Sequence, residues 1–89
     1  MITVTVRYLA GFSAAAGKTK ESLRLPEGAT VSTLIEILKK RHSRQFRALL
    51  ARDEAYRNVL FLRSGTAIEP DVQLAHGDEI VVSLPVGGG

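Results

Sequence analysis

The chain contains no cysteine. That excludes disulfides, thiolate metal sites and a thiol nucleophile of its own, and it suits a reducing compartment. No apolar run approaches the roughly 20 residues of a membrane span, and Met1-Ile2-Thr3-Val4 reads as the start of a strand rather than a signal peptide. A cytoplasmic protein with no membrane contact is expected. Imidazole is scarce, with His42 and His76 alone. Neither joins a cysteine or carboxylate cluster with metal-ligand spacing, so no metal is expected. Both read as plain surface residues, His42 at a cationic helix end and His76 in a turn. No glycine-rich loop precedes a helix, which removes a phosphate cradle. The acids Asp53-Glu54 and Asp78-Glu79 are adjacent in sequence. Neighbours on a strand point to opposite faces, so neither pair suits general acid–base work.

What is present fits one small packed domain. Of 89 residues, 45% are hydrophobic, too many for a disordered chain. Ile2, Val4, Val6 and Tyr8 alternate with Thr3, Thr5 and Arg7, the pattern of a half-buried strand. Leu9 to Lys18 holds Gly11 and Gly17 and reads as a loop. A second strand, Ser22-Leu23-Arg24-Leu25, stops at the turn Pro26-Glu27-Gly28. Thr30 is a good N-cap, and Thr33 with Glu36 offers an alternative capping box. Val31, Leu34, Ile35 and Leu38 then make one apolar helical stripe, followed by the cationic end Lys39-Lys40-Arg41-His42. A short helical pattern follows with Phe46, Leu49 and Leu50 on its apolar side.

Asn58 to Arg63 reads as a third strand, apolar on both faces, and Thr66-Ala67-Ile68 as a fourth beyond a Ser64-Gly65 turn. Val72 and Leu74 are expected to plug the core from a loop. Glu79 to Leu84 is the last strand, with Ile80, Val82 and Leu84 on one face. Strands, a striped helix and strands again imply an α+β two-layer sandwich, a mixed four- to five-stranded sheet covered on one face. Val81 and either Val59 or Leu60 would lie on the open face, a candidate docking surface.

Residues 1–84 form the expected domain, and 85–89 a flexible tail, Pro85-Val86-Gly87-Gly88-Gly89. Glycine has no Cβ, so such a tail can enter a narrow channel. Its carboxylate is inert until ATP converts it to an acyl adenylate, after which a persulfide sulfur or an amine can take the acyl group. The tail therefore suggests a carrier or modifier whose reactive atom is its own end, against the plainer reading of a loose terminus.

Three stretches carry a resemblance. They are Leu25-Pro26-Glu27-Gly28-Ala29-Thr30-Val31, Leu74-Ala75-His76-Gly77-Asp78-Glu79-Ile80 and Leu84-Pro85-Val86-Gly87-Gly88-Gly89. In this order the chain resembles the β-grasp, ubiquitin-like sulfur carriers of the MoaD/ThiS superfamily, most of all the small subunit of molybdopterin synthase. The resemblance spans nearly the whole sequence. It implies that an E1-like enzyme adenylates Gly89, that sulfur converts it to a thiocarboxylate, and that Pro85, Val86, Gly87 and Gly88 enter the large synthase subunit. ATP and the catalytic groups would belong to those partners, with no cofactor bound by the chain itself. Two departures from the family pattern are Gly87, where a side chain is usual, and Leu84, where many relatives have a second proline.

Other readings use the same residues. A ubiquitin-like modifier would pass its acyl group to lysine, and other carriers serve thiamine, cysteine or tRNA thiolation. The net charge of +3 is concentrated in the basic run Lys39-Lys40-Arg41-His42-Ser43-Arg44, with Arg47 one turn on. A solvated, dipole-compensating face is the first reading of it, an acidic protein partner the second and nucleic acid the weakest. Phe46, the aromatic nearest that run, belongs to the core pattern rather than to a stacking platform.

Overall fold

The computed structural model describes residues 1–9, 11–42, 44–50 and 59–83. The expectations placed on Asn58, Leu84, the 85–89 tail and the side chain of Leu49 lie outside the described residues.

Alternation makes β1 (Ile2–Tyr8) a strand with one buried edge: Ile2, Val4, Val6 and Tyr8 point inward and Thr3, Thr5 and Arg7 outward. It pairs antiparallel with β2 (Lys20–Leu25), Ile2 opposite Leu25 and Arg7 opposite Lys20. Strand β2 starts two residues earlier than expected because the ladder continues to Arg7. The intervening segment was expected to be a loop but contains a helix, α1 (Gly11–Ala16). Its glycines bracket the helix rather than break it. Gly17 follows the last helical residue at φ +74°, a conformation a glycine adopts without a Cβ clash, and donates to the Ser13 carbonyl. Three alanines between favour the helix, and buried Phe12 anchors it.

Helix α2 (Val31–Arg41) begins at Thr30, whose hydroxyl accepts from Thr33 N–H while Thr33 Oγ1 accepts from Thr30 N–H. This reciprocal cap, rather than the alternative of Thr33 with Glu36, closes the first turn. Val31, Leu34, Ile35 and Leu38 are all buried in one core with Val4, Val6, Leu23, Leu25, Ile80 and Val82. Truncating Leu38 to alanine in such a core costs roughly 2–5 kcal/mol. Helix α3 (Arg44–Leu50) follows, with Phe46 and Leu50 buried.

Among the described residues the remaining strands are β3 (Leu60–Arg63), β4 (Thr66–Ala67) and β5 (Glu79–Ser83). Ser64 and Gly65 both take positive φ, as a two-residue hairpin turn of the I′ kind needs. Leu74 is buried and Val72 half-buried, plugging the core as expected. The order across the five-stranded sheet is β2-β1-β5-β3-β4. Strand β5 sits at the centre, parallel to β1 and antiparallel to β3. Helix packing on one face completes the two-layer β-grasp arrangement.

Candidate functional site

The catalytic and tail expectations, Gly89 with Pro85, Val86, Gly87 and Gly88, lie outside the described residues, so the site is built from what precedes them. Strand β5 delivers the chain to that stretch. Its register sets Val82 beside Tyr8 in β1 and Phe61 in β3, all buried under the helices. The Leu9 N–H donates to the Val82 carbonyl at 2.9 Å, so β5 is held up to its last turn of ladder.

The opposite face of the sheet is uncovered. Period two puts Val81 of β5 there, opposite Leu62, with Leu60 opposite Ser83. Leu60, Leu62 and Val81 are each half-buried and form a short apolar strip. Arg7 and Glu79 flank it with an exposed ion pair at 3.4 Å. One expectation needs correcting. Val59 is 5% exposed and belongs to the core, because it lies two residues from Phe61 and shares its face. Leu60 and Val81 occupy the open face, and Leu62 joins them.

The start of β5 is fixed by a turn. Asp78 accepts from Ala75 N–H at 2.8 Å and from Arg63 Nη1 at 3.1 Å. Arg63 Nη1 also donates to the Gln73 carbonyl. His76 Nδ1 accepts from Thr3 N–H at 3.0 Å, and Gly77 N–H donates to the Thr3 carbonyl. These bonds set the register of β5 against β1, with Asp78 as the acceptor at the centre of the turn.

At the other end of β5 a buried ionic knot was missed by sequence reasoning. Glu21, with a side chain 5% exposed, faces inward from β2. Arg41 Nε donates to its Oε1 at 2.7 Å, and Lys18 Nζ lies 3.6 Å from the same oxygen. The Tyr8 hydroxyl donates to Oε2, and His42 Nε2 stands 2.6 Å from it. An ionised carboxylate only accepts, so His42 carries a proton on Nε2. Burial alone would raise the Glu21 pKa, but bonds from Tyr8, Arg41 and His42 overcome it and hold the carboxyl at about 2. Burial, then the Glu21 hydrogen bond and charge, pushes the Tyr8 phenol far above its usual range.

His42 was expected at the surface. Its side chain is 7% exposed and stacks on Phe46 with ring centroids 4.5 Å apart. A signal for the knot was available: Glu21 sits at an inward position in register with Leu23 and Leu25. An acid there demands buried donors, and the expected strand began one residue too late to include it. Every buried polar atom of the knot has a hydrogen-bond partner, so its centre organises structure, while the half-exposed Lys18 and Arg41 also face solvent. Beside it, Gly11, Ala14, Ala15, Gln45 and Ala48 line an open apolar groove of about 360 Å³ between α1 and α3. None of these described lining residues is titratable. No helix among the described residues is long and apolar enough to cross a membrane.

Comparison with known proteins gives one consistent grouping. The model of the ThiS family matches residues 6–89. A Pyrococcus furiosus protein provisionally named molybdopterin converting factor, subunit 1, is 34% identical; the alignment covers 97% of this chain and 100% of that one, with a TM-score of 0.79. SAMP1 of Haloferax volcanii is 27% identical over 98% of this chain and 99% of its own, also at 0.79. Urm1 of Trypanosoma brucei shares the fold at 20% identity, covering 98% and 95%, with a TM-score of 0.74. No curated protein matches the chain.

Proposed function

We propose, for a chain that belongs to the ThiS family of ubiquitin-like sulfur carriers and modifiers, that it carries sulfur on its terminal glycine for molybdopterin synthesis. The observation that supports this most directly is the 34% identity to the molybdopterin converting factor subunit over essentially the full length of both chains. In this reading the Gly89 carboxylate attacks the α-phosphorus of ATP in the pocket of an E1-like enzyme. Pyrophosphate leaves, and an acyl adenylate forms. Hydrosulfide, released from the sulfur source, then attacks the carbonyl carbon, AMP leaves, and a thiocarboxylate remains. Gly87 and Gly88 keep the approach narrow enough for a partner's channel, with Pro85 and Val86 leading in. The sheet supplies a rigid base, since β5 is paired on both sides. The strip of Leu60, Leu62 and Val81 is the surface that seats the large synthase subunit. A cytoplasmic setting accords with this chemistry.

The test is intact mass after incubation with ATP, a sulfur source and the adenylating enzyme. The gain expected for replacing one oxygen by sulfur should localise to Gly89, and deletion of Gly89 should abolish it while the fold persists. A truncated chain that still supports dithiolene formation refutes the reading. The similarity to SAMP1, a small archaeal modifier protein, favours a second reading in which the acyl group ends on a lysine amine. Covalent lysine adducts of the chain in cells would identify that outcome.

A further inference from the structure

The fold segregates its charge along α2, and the basic end is where β5 terminates. Tyr8, Glu21, Arg41 and His42 meet in the knot, and Tyr8 pairs with Val82, so the C-terminus of α2 and the last residues of β5 share one end of the molecule. Lys18 reaches the same knot, and Lys20 pairs beside it with Arg7. Helix α3 is pinned there as well by Phe46, whose ring meets those of Tyr8 and His42. Its Arg44 and Arg47, three residues apart and so neighbours on the helix surface, are both exposed. Glu69 and Asp71 lie at the opposite end, flanking Pro70 and Val72, whose carbonyls accept from the first N–H groups of α2.

Local stability does not account for the basic end. Lys39 to Arg41 complement the α2 dipole. Arg44, however, opens α3, where a cation opposes the helix dipole, and the first turn of α3 holds no acid. Lys20, Lys40, Arg44 and Arg47 have no acidic partner among the described residues. Arg44 and Arg47, neighbours on the α3 surface without counter-charges among the described residues, repel one another, and an external anion relieves that repulsion. The described aromatics that could stack on bases, Tyr8, Phe12 and Phe46, are buried. A protein carboxylate surface therefore fits better than nucleic acid.

We infer that the basic end formed by Lys18, Lys20, Lys40, Arg41, Arg44 and Arg47 docks on an acidic face of the enzyme that activates the terminus. The inference rests on the carrier reading, and it adds a recognition surface separate from the apolar strip on the open sheet face. Because β5 ends within this positive field, electrostatic steering brings the terminus and its activating pocket together.

The experiment measures terminus-dependent pyrophosphate exchange by the cognate adenylating enzyme, using the full chain and the triple variant Lys40→Glu, Arg44→Glu, Arg47→Glu. The expected result is a KM raised about tenfold or more with kcat little changed, as loss of steering predicts. Raising salt should raise KM for the native chain and leave the triple variant nearly flat. The salt series on the native chain also keeps the test valid should the triple variant fail to fold. An adenylated native chain whose KM ignores both salt and charge reversal overturns this inference and leaves the carrier reading intact. A native chain that the enzyme never adenylates sinks both. Tight, salt-dependent binding of single-stranded RNA by the native chain, with adenylation unaffected by the triple variant, would assign the surface to nucleic acid instead.

Discussion

The two ends of the β1–β5 pair are held by polar groups in opposite ways. At the start of β5, Asp78, Arg63 and His76 bond largely to backbone groups in a turn open to water. At the finish, Glu21 gathers Tyr8, Arg41 and His42 out of water. Water competes for the first set, so each bond contributes about 1 kcal/mol or less. The second set has no such substitute, and loss of its central carboxylate strands buried donors. The comparison teaches that the end nearest the proposed reactive terminus is the end whose geometry is most costly to disturb.

Breaking the comparison begins with Glu21→Gln, which should lower unfolding free energy by roughly 3 kcal/mol in denaturant titration; a loss below about 1 kcal/mol would show that the knot is no stronger than the turn. Acid should act on the same carboxyl. Its folded pKa, at about 2, lies below the ordinary 4.5, so its contribution is complete above about pH 4.5 and fades as pH falls toward 2. The linkage amounts to about 2 kcal/mol by pH 3. Subtracting the acid profile of Glu21→Gln from that of the native chain isolates it, and superimposable profiles would rule it out. Tyr8→Phe removes one donor to a charged acceptor and should cost about 1.5 kcal/mol. Asp78→Asn at the exposed end should cost about 1 kcal/mol or less by the same assay, and a larger loss than Tyr8→Phe would invert the ranking. The smallest effect on stability is expected from Val81→Thr on the open face, within about 0.5 kcal/mol. Under the proposed function it should still weaken binding of the large synthase subunit, measured by calorimetry; unchanged binding would move the docking surface elsewhere.

Much of the architecture was legible in period. Ile2 to Tyr8 alternate cleanly, and Val31, Leu34, Ile35 and Leu38 repeat as a helical stripe. Segment α1 was not legible, because Gly11 and Gly17 look like breakers until Phe12 is seen docked and Gly17 ends the helix. Val59 and Leu60 could not be separated in a run apolar on both sides; pairing of Phe61 with Val82 decides it. His42 looked like part of a solvated basic run, since nothing local marks an imidazole whose acceptor is 21 residues away.

By itself the sequence determined the α+β class, the order of the strands and of the two later helices, the capped central helix and the glycine ending on which the proposed chemistry depends. Those are local properties, written in spacing, turn residues and caps, and each needs only its near neighbours to be read. The tertiary structure alone decided which face of β3 is open, that Glu21 is a buried ion, and that the basic run shares an end with the last strand. Each depends on groups brought together by the pairing of β1 with β5 and the closure of α2 over them, which no window along the chain contains.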